Sequence, residues 1–273
     1  MTSLPPFRSL VLVGAGNMGG AMLTGWLNSG VPGQVITVID PSPSPEIADR
    51  ISQAGARHAV TPPAGLQPEI IFIAVKPQVM DAVLPPLKGV MSADTVVVSV
   101  AAGKTLASIE AHLGEAGMVR AMPNTPAMIG RGVTGAYANP KVSEAQRAQV
   151  QALLAVSGPV EWVAGERDID AVTAVSGSGP AYVFYLVECM AEAGRKLGLP
   201  ADLAMRLARE TVSGAGELLN RSPEPASRLR QNVTSPGGTT AAALAVLMAE
   251  DGMQPLFDEA IAAARRRAEE LGS

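Results

Sequence analysis

The run Leu10-Val11-Leu12-Val13 leads without a break into Gly14-Ala15-Gly16-Asn17-Met18-Gly19, and no other stretch restricts the fold so tightly. An apolar, β-branched run this short reads as a buried strand. The six residues from Gly14 to Gly19 fit G-x-G-x-x-G, and a helix is expected from Met18 to about Asn28, closed by Gly30. Strand, glycine turn and helix in that order are the context in which this pattern binds a dinucleotide. Gly14 permits the tight turn, Gly16 lets a pyrophosphate come against the backbone, and Gly19 lets the helix lie close to the strand. The plainer alternative is a βα turn with no ligand.

A second strand is expected over residues 35–39, ending in Asp40. That is about twenty residues past the last glycine, where an acid bonds a ribose 2′-hydroxyl. A carboxylate there repels a 2′-phosphate and so leans towards NADH. Arg50 lies a turn or more into the next helix, while Ser42 and Ser44 could still donate hydroxyls. The alternative is that Asp40 and the Pro-Ser repeat simply begin a helix.

Strand and helix signals go on alternating. Strands are expected over 70–75, 95–100 and 118–121, with helices over 79–84 and 105–113. The strands end in Ala74-Val75-Lys76-Pro77, in Ala101-Ala102-Gly103-Lys104 and in Met122-Pro123-Asn124-Thr125-Pro126. Such alternation implies a parallel, doubly wound sheet with its ligand beyond the carboxyl ends of the strands. Further strands are expected over 133–138 and 159–163 around a helix over 143–157. A boundary at Ala164-Gly165-Glu166 divides a dinucleotide-binding domain, 1–164, from a helical domain, 165–273.

After Glu166 the strand signals stop. A helix over 168–175 meets Ser176-Gly177-Ser178-Gly179-Pro180, and Pro180 suits the first turn of the next helix, 181–197. That helix carries Tyr182, Val183, Phe184, Leu186, Val187 and Met190 nearly all round. It is therefore expected to be buried, as in a subunit interface. Cys189 within it reads as a small buried hydrophobe. Helices over 201–219 and up to Asn232 come next, and then Asn232-Val233-Thr234-Ser235-Pro236-Gly237-Gly238-Thr239-Thr240. Paired glycines leading into a helix whose first-turn N–H groups have no partner suit a carboxylate or phosphate; a capped helix start is the bland alternative. Closing helices are expected over 239–249 and 254–271.

At 273 residues the chain has room for two domains. With net charge −4 and Arg265-Arg266-Arg267 set among Glu269 and Glu270, no nucleic-acid patch is expected. The one cysteine excludes an internal disulfide, and the two isolated histidines, His58 and His112, offer no metal-ligand spacing, so no metal is expected. Residues 1–9 lack a long apolar region, so no leader or membrane span is expected and the location is read as cytoplasmic.

Together these motifs resemble those of the pyrroline-5-carboxylate reductases over essentially the whole chain. The resemblance rests on the glycine run 14–19, Ala74-Val75-Lys76-Pro77, Ala101-Ala102-Gly103, Asn124-Thr125-Pro126, Ser176-Gly177-Ser178-Gly179-Pro180-Ala181-Tyr182 and Ser235-Pro236-Gly237-Gly238-Thr239-Thr240. It implies an N-terminal Rossmann domain and an all-α C-terminal dimerisation domain. The active site would form between subunits, with homodimers assembled into larger rings such as a decamer. The implied reaction is reduction of 1-pyrroline-5-carboxylate to L-proline by NADPH or NADH, the last step of proline synthesis.

By similarity, the cofactor contacts are Gly14, Ala15, Gly16, Asn17, Met18, Gly19, Asp40, Ser42, Ala74, Val75, Lys76, Pro77, Ala101, Ala102, Gly103, Asn124 and Asn232. The substrate would meet Glu166, Asn232 and Thr240, its carboxylate held by Ser235, Gly237, Gly238 and Thr239. Asp40 departs from the phosphate-friendly residues common at its position, which leaves NADPH against NADH open.

The absence of a placed histidine or acid–base dyad would be a fault in an alcohol dehydrogenase. A cyclic imine is itself basic and can bind protonated, so orientation and electrostatics carry the catalysis, with Thr240 as the catalytic hydrogen-bonding group. A β-hydroxyacid dehydrogenase would place a lysine in the helix after the Gly-x-Gly turn, whereas here none occurs before Lys196. A non-catalytic dinucleotide sensor would have no need of the motif at 235–240.

Overall fold

The structure, a computed structural model, describes residues 6–272; of the stretch read for a leader, the first five residues lie outside these. In chain order the elements are β1 (Leu10–Val13), α1 (Asn17–Asn28), β2 (Ile36–Ile39), α2 (Pro45–Gln53), β3 (Arg57–Ala59), β4 (Ile70–Ile73), α3 (Met80–Val83), α4 (Pro85–Lys88), β5 (Val96–Ser99), α5 (Leu106–Leu113), β6 (Gly117–Pro123), β7 (Thr134–Ala138), α6 (Glu144–Leu154), β8 (Val160–Trp162), α7 (Asp168–Val172), α8 (Gly179–Lys196), α9 (Ala201–Arg221), α10 (Ala226–Asn232), α11 (Thr239–Leu247) and α12 (Met253–Gly272). The chain divides into two compact units. One runs to Gly177 and takes up the chain again from Ala264; the other is Ser178–Ala263.

The first unit is built on an eight-stranded sheet in the order β3-β2-β1-β4-β5-β6-β7-β8. β1, β2, β4 and β5 are buried at every position, as strands covered on both faces must be. Alternate residues feed two cores. Leu10, Leu12, Ile36, Phe72 and Val98 pack with Met22, Leu23 and Trp26 of α1 and with Leu153 and Leu154 of α6. Val11, Val13, Ile71, Ile73 and Val97 pack with Met80, Leu87, Leu106 and Ile109 on the other side. This is the doubly wound arrangement expected of alternating strands and helices.

The pairing is parallel except between β6 and β7. A parallel crossover needs about a dozen residues or more, usually a helix. Between β6 and β7 stands only a short connection holding the 3₁₀ piece Thr125–Ile129, so the chain turns back on itself. From β7 to β8 the chain crosses through α6, and those strands are parallel again. β3 had no signal in the sequence. Its residues Arg57, His58 and Ala59 form a polar edge strand without an apolar run. The helix expected over 79–84 is the short α3, and a further short helix, α4, which was not expected, begins at Pro85 and Pro86.

In the second unit α8 packs along α9, and the close approach is made by small residues. A Cβ at Gly194 would stand 3.3 Å from that of Ala204. The buried residues of these helices are Ala191, Ala204 and Ala208. The large apolar side chains of α8 are not buried within the chain: Phe184 is 63% and Tyr185 66% exposed, and Val183, Leu186 and Met190 are exposed beside them. Cys189 is exposed too, which corrects its reading as a buried hydrophobe. The reason is that α8 carries more apolar surface than the helices of one chain can cover. An exposed apolar face of this kind marks an interaction site.

Among the described residues, Trp26 is the largest fully buried side chain. Its Nε1 donates to the Leu153 carbonyl at 2.9 Å, and its ring meets Phe72 edge-on at 5.1 Å. Trp26→Ala leaves a cavity and an orphaned carbonyl. Chemical denaturation is expected to show a loss of about 4 kcal/mol. A loss below about 1 kcal/mol would mean that the α1–α6 seam does not hold the sheet.

Candidate active site

β1 lies between β2 and β4, so the chain's path across the sheet reverses there. Helices leave β1 and β4 towards opposite faces and open a crevice beyond their carboxyl ends, the ligand position of such sheets. A crevice of about 470 Å³ lies there. Of the residues singled out from the sequence, Gly14, Gly16, Asp40, Ala74, Val75 and Lys76 line it. Val60, Thr61, Pro62, Val79, Val83 and Pro86 line it too and were not foreseen. Their only signal was position, just after β3 and around the short α3 and α4, and β3 itself was illegible.

Each glycine of the loop has a separate task. Gly14 has φ +87°, and its N–H donates to the Ile39 carbonyl at 2.9 Å. A Cβ there would stand 2.7 Å from Val75 Cγ1. At Gly19 a Cβ would fall onto the Gly14 carbonyl oxygen, so α1 lies against the loop backbone. Gly16 differs from both. It has extended backbone at the N-cap of α1, offers no side-chain cap, and its missing Cβ faces open space. The first-turn amides of α1 are therefore free for an anion. Lys76 is exposed at the crevice rim. A dinucleotide fits this site: open backbone at Gly16, an uncapped helix start, and apolar walls.

Asp40 is tied to the loop. Its Oδ2 accepts the Ala15 N–H at 2.6 Å and its Oδ1 the Ser42 N–H at 2.8 Å. The His58 Nε2 donates to the Asp40 carbonyl at 2.8 Å. The carboxylate is thus held at the end of β2 in a fixed direction.

Ala101, Ala102, Gly103 and Asn124 are not in the crevice lining. They belong to the loops after β5 and β6, the next strands along the sheet. Gly103, at φ +71°, sits under Leu271 of α12, whose Cβ would stand 2.8 Å from a Cβ there. The Asn124 amide makes its hydrogen bonds within the first unit. Its Nδ2 donates to the Ser176 carbonyl at 3.3 Å and Oγ at 3.4 Å, and its Oδ1 accepts the Val133 N–H at 3.0 Å. Arg120 and Met122 on one face of β6, and Asn124 just past its end, grip the segment 166–177. Arg120 donates to Asp170 Oδ1 at 2.7 Å and stands 3.5 Å from Glu166 Oε1. Met122 fills the space a Cβ on Gly177 would need. The segment ends in a π-helical turn, Thr173–Gly177, an irregularity that recurs at functional sites.

In the second unit, the stretch 232–240 has its own geometry. Asn232 closes α10 and is exposed. The Gly238 N–H donates to the Ser235 carbonyl at 3.0 Å, and Gly237 turns the chain at φ +68°. Gly238 is the N-cap of α11 and supplies no side-chain acceptor. Thr239 and Thr240 stand in the first turn, whose amides have no acceptor within the helix.

A family model described as pyrroline-5-carboxylate reductase dimerisation matches residues 166–271, and one described as NADP oxidoreductase, coenzyme F420-dependent, matches residues 9–103. The pyrroline-5-carboxylate reductase of Pseudomonas aeruginosa is 40% identical over 268 residues, covering 96% of each chain. The structure of a pyrroline-5-carboxylate reductase from Coxiella burnetii superposes with a TM-score of 0.90 at 35% identity, covering 98% of this chain and 99% of that one. The pyrroline carboxylate reductase of Plasmodium falciparum with NADP bound gives 0.80 at 28% identity, covering 97% of this chain and 98% of that one.

Gly16 separates binding from folding. Gly16→Ala meets no atom of the protein, so its melting temperature is expected to stay within about 2 °C of the wild type. Dinucleotide affinity, read by titration of reduced-nicotinamide fluorescence, is expected to fall at least about tenfold. Unchanged affinity would place the pyrophosphate elsewhere.

Proposed function

The chain belongs to the pyrroline-5-carboxylate reductase family, and on that premise we propose how its own residues carry the reduction of 1-pyrroline-5-carboxylate to L-proline by a reduced nicotinamide dinucleotide. One feature carries the cofactor half above all: the uncapped start of α1 at Gly16, open to the crevice between β1 and β4. The pyrophosphate lies on the amides of Gly14 to Gly19, with Lys76 as the nearby cation. The nicotinamide end extends past Ala74 to Pro77 towards Ala101 to Gly103 and Asn124. When bound, the cofactor supplies the hydride that C5 of the ring receives.

The substrate carboxylate is held by backbone N–H groups of Ser235 to Thr240 at the start of α11, where the helix dipole favours an anion. The ring nitrogen enters protonated and donates to Thr240 Oγ1. Its proton stays on nitrogen in the product, so no general acid is required. Asn232 completes the site beside the nicotinamide. The work of the protein is then to orient the ring and to balance its changing charge. Functionally, residues 1–164 bind the dinucleotide and 165–273 bind substrate and partner, a division supported by the match of the dimerisation model from residue 166.

The helical part is the family's dimerisation domain, and the exposed face of α8 is the surface it offers. A homodimer is the unit proposed here, with rings of dimers such as a decamer as the larger assembly. Among the described residues, no helix is long and apolar enough to cross a membrane.

NADH is the proposed preference. Asp40 lines the crevice, its carboxylate held by the Ala15 and Ser42 N–H groups. A ribose diol donates to it, whereas a 2′-phosphate meets like charge. The opposing consideration is the NADP bound by the Plasmodium falciparum relative. Loss of reduced-nicotinamide absorbance with racemic 1-pyrroline-5-carboxylate, run with NADH and with NADPH, tests both points. Turnover to proline with either supports the reaction; cofactor binding without turnover of the imine would overturn it. Asp40→Ser is expected to move the NADPH-to-NADH ratio of kcat/KM upwards by about tenfold or more. A ratio that does not move would remove Asp40 from cofactor choice. Thr240→Ala is expected to leave cofactor affinity intact and to lower kcat by about one to two orders of magnitude. Unchanged turnover would end the catalytic role of Thr240.

A further inference from the structure

We infer that Glu166, clamped by the buried Arg120, is a positioning residue for the loop 101–105 and not a ligand of the substrate; this rests on the dinucleotide reading of the crevice. Arg120 lies on β6 with its side chain only 3% exposed. A buried guanidinium must be surrounded by acceptors, and Asp170 and Glu166 supply them. The same Glu166 oxygen, Oε1, accepts the Leu106 N–H at 2.7 Å. Leu106 is the first residue of α5 and follows directly on the loop. A carboxylate at this point favours the helix N-terminus electrostatically as well as by the hydrogen bond.

The other holds on the loop are uncharged. At its start the Ala101 N–H reaches Ser99 Oγ at 3.3 Å. In its middle Gly103 rests under Leu271. At its end Thr105 caps α5 through the Ser108 N–H at 3.2 Å. β5, which delivers the loop, pairs with β4, whose own loop lines the crevice. The tether therefore fixes the strand end next to the dinucleotide. A direct substrate contact is a poor use of this carboxylate. Its charge is spent on Arg120, and it would face a substrate that is itself a carboxylate.

Glu166→Ala and Glu166→Gln in the full chain separate the roles. Glu166 is partly exposed and Arg120 keeps Asp170, so both variants are expected to fold. In nucleotide-free protein, hydrogen exchange at the Leu106 amide is expected to quicken by about tenfold or more in Glu166→Ala and to stay near wild type in Glu166→Gln, whose side-chain carbonyl still accepts. In turnover, Glu166→Ala is expected to raise the cofactor KM about tenfold and to leave the imine KM within about twofold, with Glu166→Gln restoring most of the loss. The proposal is overturned if the imine KM rises while the cofactor KM holds, or if Leu106 exchange ignores the alanine. Failure of the cofactor reading would look different: wild-type protein binding neither dinucleotide, with Leu106 exchange still dependent on Glu166.

Discussion

In the nucleotide half, everything rests on one backbone contact, that of Gly19 against the carbonyl of Gly14. No side chain fits between them, so α1 starts close over β1 and runs back across the sheet. That placement packs Trp26 against Phe72 and closes one core. It also leaves the start of α1 uncapped over the point where the strand order reverses. Close packing and an anion site thus come from a single steric fact. Asp40 reinforces it from the neighbouring strand by holding the Ala15 amide, so the loop is braced before any ligand arrives.

Further along the sheet the bracing changes character. β1, β4 and β5 are held by apolar burial, but Arg120 and Met122 of β6, with Asn124 just past its end, meet the segment from Glu166 to Gly177. Buried ion pairs add little net stability compared with an apolar core, yet breaking one is costly. Their value here is geometric. They fix where the polypeptide leaves the sheet and enters the glycine-rich turn at 176–179, and they hold the end of the loop after β5. The reversal between β6 and β7 follows from a short connection, and β7 and β8 extend the sheet beyond the strands that carry loops of the site.

The helical half follows a different logic. Apolar residues nearly all round α8 predict a buried helix, and in the single chain its aromatic residues are exposed. The two facts agree once the folded unit is a subunit. An exposed apolar face of this kind suits association, and the match of the dimerisation model over 166–271 supports oligomerisation.

Much of the fold was legible because its signals are local. Short apolar runs marked β1, β2, β4 and β5, and the glycine spacing marked the α1 turn; the spacing to Asp40 placed an acid at the end of β2. These depend on burial on both faces and on backbone conformation, which neighbouring residues decide. β3 was hidden because an edge strand needs no apolar run, and with it went Val60, Thr61 and Pro62 of the crevice wall. The direction of β7 was hidden because it follows from a connection length and not from strand composition. Least legible were the polar partnerships. Asn124 and Glu166 were marked as site residues by resemblance, but what their side chains hold could not be read from their neighbours. Asn124 meets Ser176 across 52 positions and Glu166 meets Leu106 across 60. The sequence by itself determined which backbone could bend, bury or open to an anion. Only the tertiary structure decided which polar groups were already spoken for, because hydrogen-bond partners are chosen by proximity in space, and proximity over such separations exists only once the sheet has formed.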